Sequence, residues 1–247
     1  MHTTFAQLGI PFPLYEAPIE SPGDSEYAGL DTCSVCGTTV AQCFSLGVGT
    51  AVIIPCPQCG AANGLDVDDK AGAACRDCSA RIEFPVSIAS QPEPKVCYTC
   101  LRSGKAALSK DTEFGMISWD QAFSGVTHGL PDLRQDQFES VMTDTEHNWV
   151  GVKLPQDMMF ELLRTPTCDT WQGERWLFCC RYPMTFIGEW DQEHFKHHDP
   201  QGNGEQLYRS VVEDVDADTW QFVGVGLAVY VFVCKRCGRH RAHSDSS

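Results

Sequence analysis

Residues 56–78 read CPQCGAANGLDVDDKAGAACRDC. Two thiols three positions apart on a tight turn can grip one tetrahedral cation from the same side. The spacing C-x2-C-x15-C-x2-C therefore supplies both halves of a four-sulfur zinc cage built from Cys56, Cys59, Cys75 and Cys78. Residues 48–55 ahead of it and 81–88 behind it are rich in β-branched and alternating residues and read as flanking strands. The stretch is expected to fold as a zinc ribbon, with Asp66, Asp68 and Asp69 on the loop between its two knuckles.

The same pair recurs at Cys33/Cys36, Cys97/Cys100 and Cys234/Cys237, so ten of the 14 cysteines stand in Cys-x-x-Cys pairs. Nesting is the first expectation: Cys33, Cys36, Cys97 and Cys100 meet across the base of the ribbon and hold its ends together. The rival takes knuckles in chain order and leaves Cys97/Cys100 to pair with Cys234/Cys237. The latter pair needs two further ligands, with Cys179 and Cys180, one or both, or His240 and His243 as the choices. Adjacent residues of a strand point to opposite faces, so Cys179 and Cys180 can share one cage only across a bend. Two or three zinc ions with a structural role are expected, and Cys43 and Cys168 are assigned to packing. A redox Cys-x-x-Cys wants its nucleophilic thiol at a helix N-terminus; the prolines and glycines around these pairs mark knuckles instead.

Composition sets the frame. A chain of 247 residues with 43% hydrophobic and 10% aromatic residues is that of a folded globular protein. The longest apolar run, residues 222–233, is broken by Gly224 and Gly226 and reads as a buried strand rather than a membrane span. The first 13 residues lack the basic start and apolar run of a signal peptide, which points to a reducing cytoplasm, where paired cysteines bind metal. The net charge is −15, and each four-thiolate zinc cage would add about −2. Such an exterior repels phosphate backbones and favours a basic partner.

Elsewhere the signals are local. Residues 10–32 are rich in proline and glycine and read as an extended surface segment. A helix opened by Pro131 is expected over 133–142, another over Gln156–Leu163 between Pro155 and Thr165-Pro166, and a third over 207–215. Residues 171–188 read as an aromatic core strand or strand pair, 221–233 as the last strand, and 240–247 as a polar tail. The class is α+β: antiparallel β segments, few short helices, many loops. His194, His197 and His198 with Asp191 and Glu193 could share a helical face and hold a catalytic metal, or simply be solvated. Glu213 with Asp214, and Asp216 with Asp218, could do acid–base work, although acidic runs are normally surface. No phosphate-cradling loop or nucleophile elbow is present.

The segments FPLYEAPIES, CSVCG, CYTCLRSGKAA with DTEF, RTPTCDTWQGERWLFCC, TFIGEW and VFVCKRCGRHRAHSD resemble the CbrC-like proteins, a family known for tolerance to a DNase colicin. The stretch from Arg164-Thr165-Pro166 to Trp176 is the most specific piece. The resemblance implies that Cys33/Cys36 and Cys97/Cys100 are the family's first two knuckles, and that Trp171, Glu174, Arg175 and Trp176 form a structural signature. It also implies a domain of residues 1–43 and 91–247, into which 44–90 is inserted as an extra ribbon. No catalytic residue carries over. The expectation is a cytoplasmic immunity protein, not an enzyme, that blocks a basic nuclease toxin by stoichiometric binding. Asp66, Asp68, Asp69, Glu213, Asp214, Asp216 and Asp218 are the candidate contact residues, and no membrane or nucleic-acid partner is expected. The alternative is a zinc-ribbon module associated with nucleic acid or transcription.

Overall fold

The computed structural model describes residues 3–20, 27–47, 49–69, 71–111, 117–127, 138–146, 149–167, 176–213 and 219–246. The chain divides into two compact units, Pro22–Thr167 and the pair of segments Met1–Ser21 and Cys168–Ser247. Both are α+β, and every named strand pair is antiparallel.

In the larger unit β1 (Tyr27–Asp31), β2 (Ala41–Ser45) and β7 (Lys95–Cys97) form one sheet in the order β1-β2-β7. A second sheet runs β4-β3-β8, from β3 (Ala51–Pro55), β4 (Ala62–Leu65) and β8 (Ala106–Ala107). Two hairpins complete the strands, β5 (Ala73–Ala74) with β6 (Arg81–Ile82), and β9 (Ser140–Asp144) with β10 (Trp149–Val152). The helices are α1 (Val86–Ala89), α2 (Tyr98–Arg102), α3 (Trp119–Ser124) and α4 (Gln156–Leu163). Helix α3 starts at a capping box, in which Ser118 Oγ accepts from Gln121 N–H, and stops at Gly125, whose φ of 68° ends the turn. Helix α4 occupies the bounds that its flanking prolines dictate, and it buries Met158, Met159, Leu162 and Leu163 on one face. The expected insertion, 44–90, lies inside this unit, where β3 pairs with β8 through Ala51↔Ala107 and Val52↔Ala106.

The smaller unit is built on β13 (Thr185–Glu189), β14 (Leu227–Val233) and β15 (His240–Ser246), with the short hairpin β11 (Phe178–Cys179) and β12 (Tyr182–Pro183) before them. Strand β14, LAVYVFV, sits in the middle of its sheet and is buried along most of its length. Helices α5 (Gln192–His198) and α6 (Gly204–Val211) pack with it around Trp190, Phe195, Tyr208, Val229 and Val231. Trp176 is buried beside them, donating from Nε1 to the Met184 carbonyl at 2.9 Å and meeting Phe232 edge-on.

Four segments differ from their sequence reading. The first part of residues 10–32 is core rather than surface: Ile10, Phe12, Leu14 and Tyr15 are buried, as is Phe5 before them, and Tyr15 packs on Phe186 at 5.4 Å. Residues 81–88 leave the strand after Ile82, because Pro85 turns the chain into α1. Residues 140–142 belong to β9, whose register with Gly151 and Val150 overrides the helical pattern; 133–137 lie outside the described residues. The polar tail is a strand, since the apolar β14 needs cover along both edges. Two boundaries also move. Strand β14 begins only at Leu227, after turns at Gly224 (φ 80°) and Gly226 (φ 134°). Helix α6 begins at the Asn203 cap and ends at Val211, where Val212 turns extended.

Candidate metal centre

Four of the five Cys-x-x-Cys pairs adopt one backbone turn. The amide of the first cysteine donates to the carbonyl five residues on, and the amide four residues on donates back to the first cysteine's carbonyl. The bonds are Cys33–Thr38 and Gly37–Cys33, Cys56–Ala61 and Gly60–Cys56, Cys75–Ala80 and Ser79–Cys75, Cys234–Arg239 and Gly238–Cys234, all at 2.7–2.9 Å. The residue after the second cysteine must take a left-handed conformation, and Gly37, Gly60 and Gly238 do so at no steric cost. Ser79 does so with φ 59°. The fifth pair is different: Cys97 ends β7 and precedes α2, which carries Cys100.

These turns bring the thiols together in three groups of four, each with its sulfurs within 4.8 Å of one another: Cys33, Cys36, Cys97 and Cys100; Cys56, Cys59, Cys75 and Cys78; Cys179, Cys180, Cys234 and Cys237. The distances test what the groups suit. A tetrahedral ion with sulfur at about 2.3 Å needs Sγ–Sγ edges of about 3.8 Å, whereas a disulfide needs about 2.05 Å. The separations are 3.9 and 3.8 Å in the first group (Cys33–Cys100, Cys36–Cys97), 3.6 Å twice in the second (Cys56–Cys78, Cys59–Cys75), and 3.9 and 3.7 Å in the third (Cys179–Cys180, Cys179–Cys237). All three groups fit a metal ion and none fits a covalent bridge.

Electrostatics agree with the geometry. The Thr38 hydroxyl and amide bring Cys36 down to about 6, and hydrogen bonding led by the Arg239 amide brings Cys237 to about 7. Burial first, then its sulfur neighbours, push Cys179 up to about 12. Four thiols in one small volume cannot all ionise unaided, and a divalent cation is the charge that lets them do so. Backbone amides also point at sulfur, Cys97 N–H to Cys33 Sγ at 3.2 Å and Gln58 N–H to Cys56 Sγ at 3.4 Å.

The third group depends on a turn with no sequence signal. Cys180 (φ 54°) and Arg181 (φ 58°) are both left-handed and join β11 to β12 as a two-residue hairpin, the place where Asn-Gly is usual. That turn is the bend needed for Cys179 and Cys180 to face one point. Arg236 fastens it, donating to the Cys180 carbonyl at 2.9 Å with its guanidinium 4.8 Å from the Tyr182 ring centre. His240 and His243 take no part: His240 lies beside Trp190, and His243 stacks between Tyr230 and Phe232. Cys43 is buried next to the first group, and burial together with Cys33 and Cys97 drives it up to about 11, which keeps it a packed thiol. Cys168 lies outside the described residues.

The other candidates disperse. Asp191 caps α5 by accepting from His194 N–H at 2.8 Å, His194 Nδ1 lies 2.7 Å from the same carboxylate, and His198 stacks on Trp190 at 4.2 Å. Among the described residues these histidines, with Asp191 and Glu193, do not converge on a ligand point. Asp66 is not an exposed contact residue. It is buried, with one carboxylate oxygen taking Gly49 N–H at 2.6 Å and the other Asp68 N–H at 3.0 Å. Asp69 takes Asp66 N–H and pairs with Lys110 at 2.7 Å. Both acids therefore pin the ribbon loop, and of that trio only Asp68 stands exposed. Glu213 is engaged by Arg241, while Asp214, Asp216 and Asp218 lie outside the described residues, as do Trp171, Glu174 and Arg175.

Residues 61–246 match an uncharacterised protein family, UPF0167. The chain belongs to this family. UPF0167 is the family of the CbrC-like proteins that the sequence resembles. The UPF0167 match includes the whole third group and the later half of each of the other two; Cys33, Cys36, Cys56 and Cys59 precede it. No curated protein and no solved structure matches the chain.

Proposed function

We propose that the three groups are structural zinc sites in a non-catalytic protein that neutralises a basic protein toxin, of the nuclease class, by stoichiometric docking in a reducing cytoplasm. The observation that carries this reading is the closure of the sites. Each gathers four thiols at tetrahedral spacing, which suits zinc and leaves no coordination position for a substrate. Such sites stiffen loops, and a surface ordered in advance loses less entropy on docking. The net charge of −15 supplies the steering, and filled cages make it more negative. With Asp66 and Asp69 committed to the ribbon loop, the acidic contacts fall to exposed residues such as Asp68, Glu83 and Glu93. No helix of the described chain is long and apolar enough to cross a membrane.

One observation favours the nucleic-acid alternative. Arg181, Lys235, Arg236 and Arg239 stand exposed around the third group. Their charge is largely spoken for: Lys235 pairs with Glu16, Arg236 turns back onto Cys180, and a filled cage adds about −2 beneath them. The deciding experiment is co-expression with the product of the neighbouring gene, tested for toxicity on its own. Growth rescue together with a 1:1 complex that weakens as salt rises supports neutralisation. A duplex or single strand bound more tightly than the toxin at physiological salt would replace it with the alternative.

A further inference from the structure

Arg164, which follows α4 and opens the Arg164-Thr165-Pro166 stretch, is an arginine without an ion-pair partner among the described residues. Its guanidinium lies 5.4 Å from the Phe160 ring centre and over Gly104, so close that a Cβ at Gly104 would stand 2.9 Å from Nη2. Its Nε is buried and has no hydrogen-bond acceptor among the described residues. The neighbouring carboxylate is already engaged: both Glu161 oxygens accept from Arg102, at 2.6 and 2.9 Å. The Thr165 hydroxyl donates to the Glu161 carbonyl at 2.7 Å and fixes the end of the helix. Lys105, next to Gly104, is exposed and has no ion pair among the described residues. Among the described residues Arg164 and Lys105 thus have no ion pair, with Lys105 following in the chain the glycine on which Arg164 lies, in a protein with 33 carboxylates and 18 Lys and Arg. Buried donors in native proteins are almost always satisfied, and one left open marks the seat of a water, an ion or a ligand.

We propose that Arg164, assisted by Lys105 across Gly104, binds an oxyanion group, a phosphate or a carboxylate. The guanidinium presents a planar fork of N–H donors that matches two oxygens of either group, and the Phe160 ring and glycine floor hold it in place. Desolvation, partly countered by Glu161 and added to by Arg102, sets its proton affinity below the ordinary guanidinium level, as expected of a cation short of negative charge. The site is independent of the zinc groups and of the neutralisation reading.

The test uses the metal-loaded full chain. Its thermal midpoint is followed in sodium phosphate, sodium acetate and sodium chloride at equal ionic strength, for the wild type, Arg164→Gln and Lys105→Gln. A millimolar site saturated tenfold raises the midpoint by roughly 2–5 °C. The expected result is such a rise in phosphate, absent in Arg164→Gln and reduced in Lys105→Gln. General strengthening of burial by phosphate acts on all three proteins alike and cancels in the comparison. A rise in phosphate alone assigns a phosphate group, and a rise in both anions assigns any oxyanion. No rise in the wild type, or an equal rise in all three proteins, overturns the site. Lys105 is exposed, so its variant keeps the test decisive should Arg164→Gln fail to fold.

Discussion

Replacing both Cys75 and Cys78 by alanine should melt the ribbon while leaving the rest of the protein folded. The remaining pair, Cys56 and Cys59, cannot enclose a tetrahedral ion alone. In small zinc folds the metal contributes about 10–16 kcal/mol near neutral pH, whereas an apolar core of this size supplies about 3–5 kcal/mol. The large apolar side chains that the described residues of 48–88 bury are few: Val52, Leu65, Ile82, Phe84 and Ile88. The second quantity cannot replace the first, so hairpin β5–β6 and strand β4 should open. Strand β3 keeps its pairing with β8 at Ala51 and Val52, which makes the amides of Ala62–Leu65 and Ala73–Ala74 the sensitive reporters. Losing at least 3–5 kcal/mol of local stability speeds their hydrogen exchange by roughly 150- to 5,000-fold. Elemental analysis should show one metal fewer per chain, and amides of Leu227–Val233 should exchange at the wild-type rate. Unchanged metal content, or protection retained over 62–65 and 73–74, would refute the claim that sulfur-bound metal holds this part together.

Three further outcomes are expected. Val40 is left-handed (φ 54°) with its side chain exposed, and asparagine tolerates that backbone better; Val40→Asn should stabilise by about 1 kcal/mol in urea unfolding. Glu161→Gln strands Arg102 beside Arg164, and because the pair is only partly buried the loss should be about 2–3 kcal/mol, with partial recovery on adding Arg102→Gln. Burial, and for His198 also the neighbouring His197, His240 and His194, lowers the proton affinity of His198 and His240. Their folded values lie below the unfolded one of about 6.5, so the stability they support is complete above that pH and drains away as pH falls through it. Urea midpoints measured at pH 7.5, 6.5 and 5.5 should show this drop, and His198→Phe, which keeps the Trp190 stack, should shrink it.

Much of the candidate site could be read from spacing, because a metal knuckle is a local turn. Two cysteines three apart and a glycine after the second specify it without help from the rest of the chain, as at Cys33–Gly37, Cys56–Gly60 and Cys234–Gly238. Ser79 shows the limit, since it takes the glycine conformation with no letter announcing it. The Cys180–Arg181 hairpin was illegible for the same reason: nothing in that pair favours two left-handed residues, and distant partners hold it there. The helix over Gln156–Leu163 was legible because prolines punctuate it. The errors at 10–32 and 240–247 share a cause. Proline-rich and polar stretches look external by composition, yet the apolar β14 and the Phe186 region impose partners on them that no local window contains.

The pairing of Met1–Ser21 with Cys168–Ser247 also governs how the protein is made. Phe5, Phe12, Leu14 and Tyr15 are synthesised well before the later strands of the same unit, with residues 22–167 in between. At about 5–20 residues per second, those side chains wait roughly 10–45 s without a home. Residues 22–167 are finished meanwhile and can fold and take up metal during elongation. A nascent chain stalled before residue 234 would keep its greasy first segment uncovered, a ready mark for chaperones and proteases.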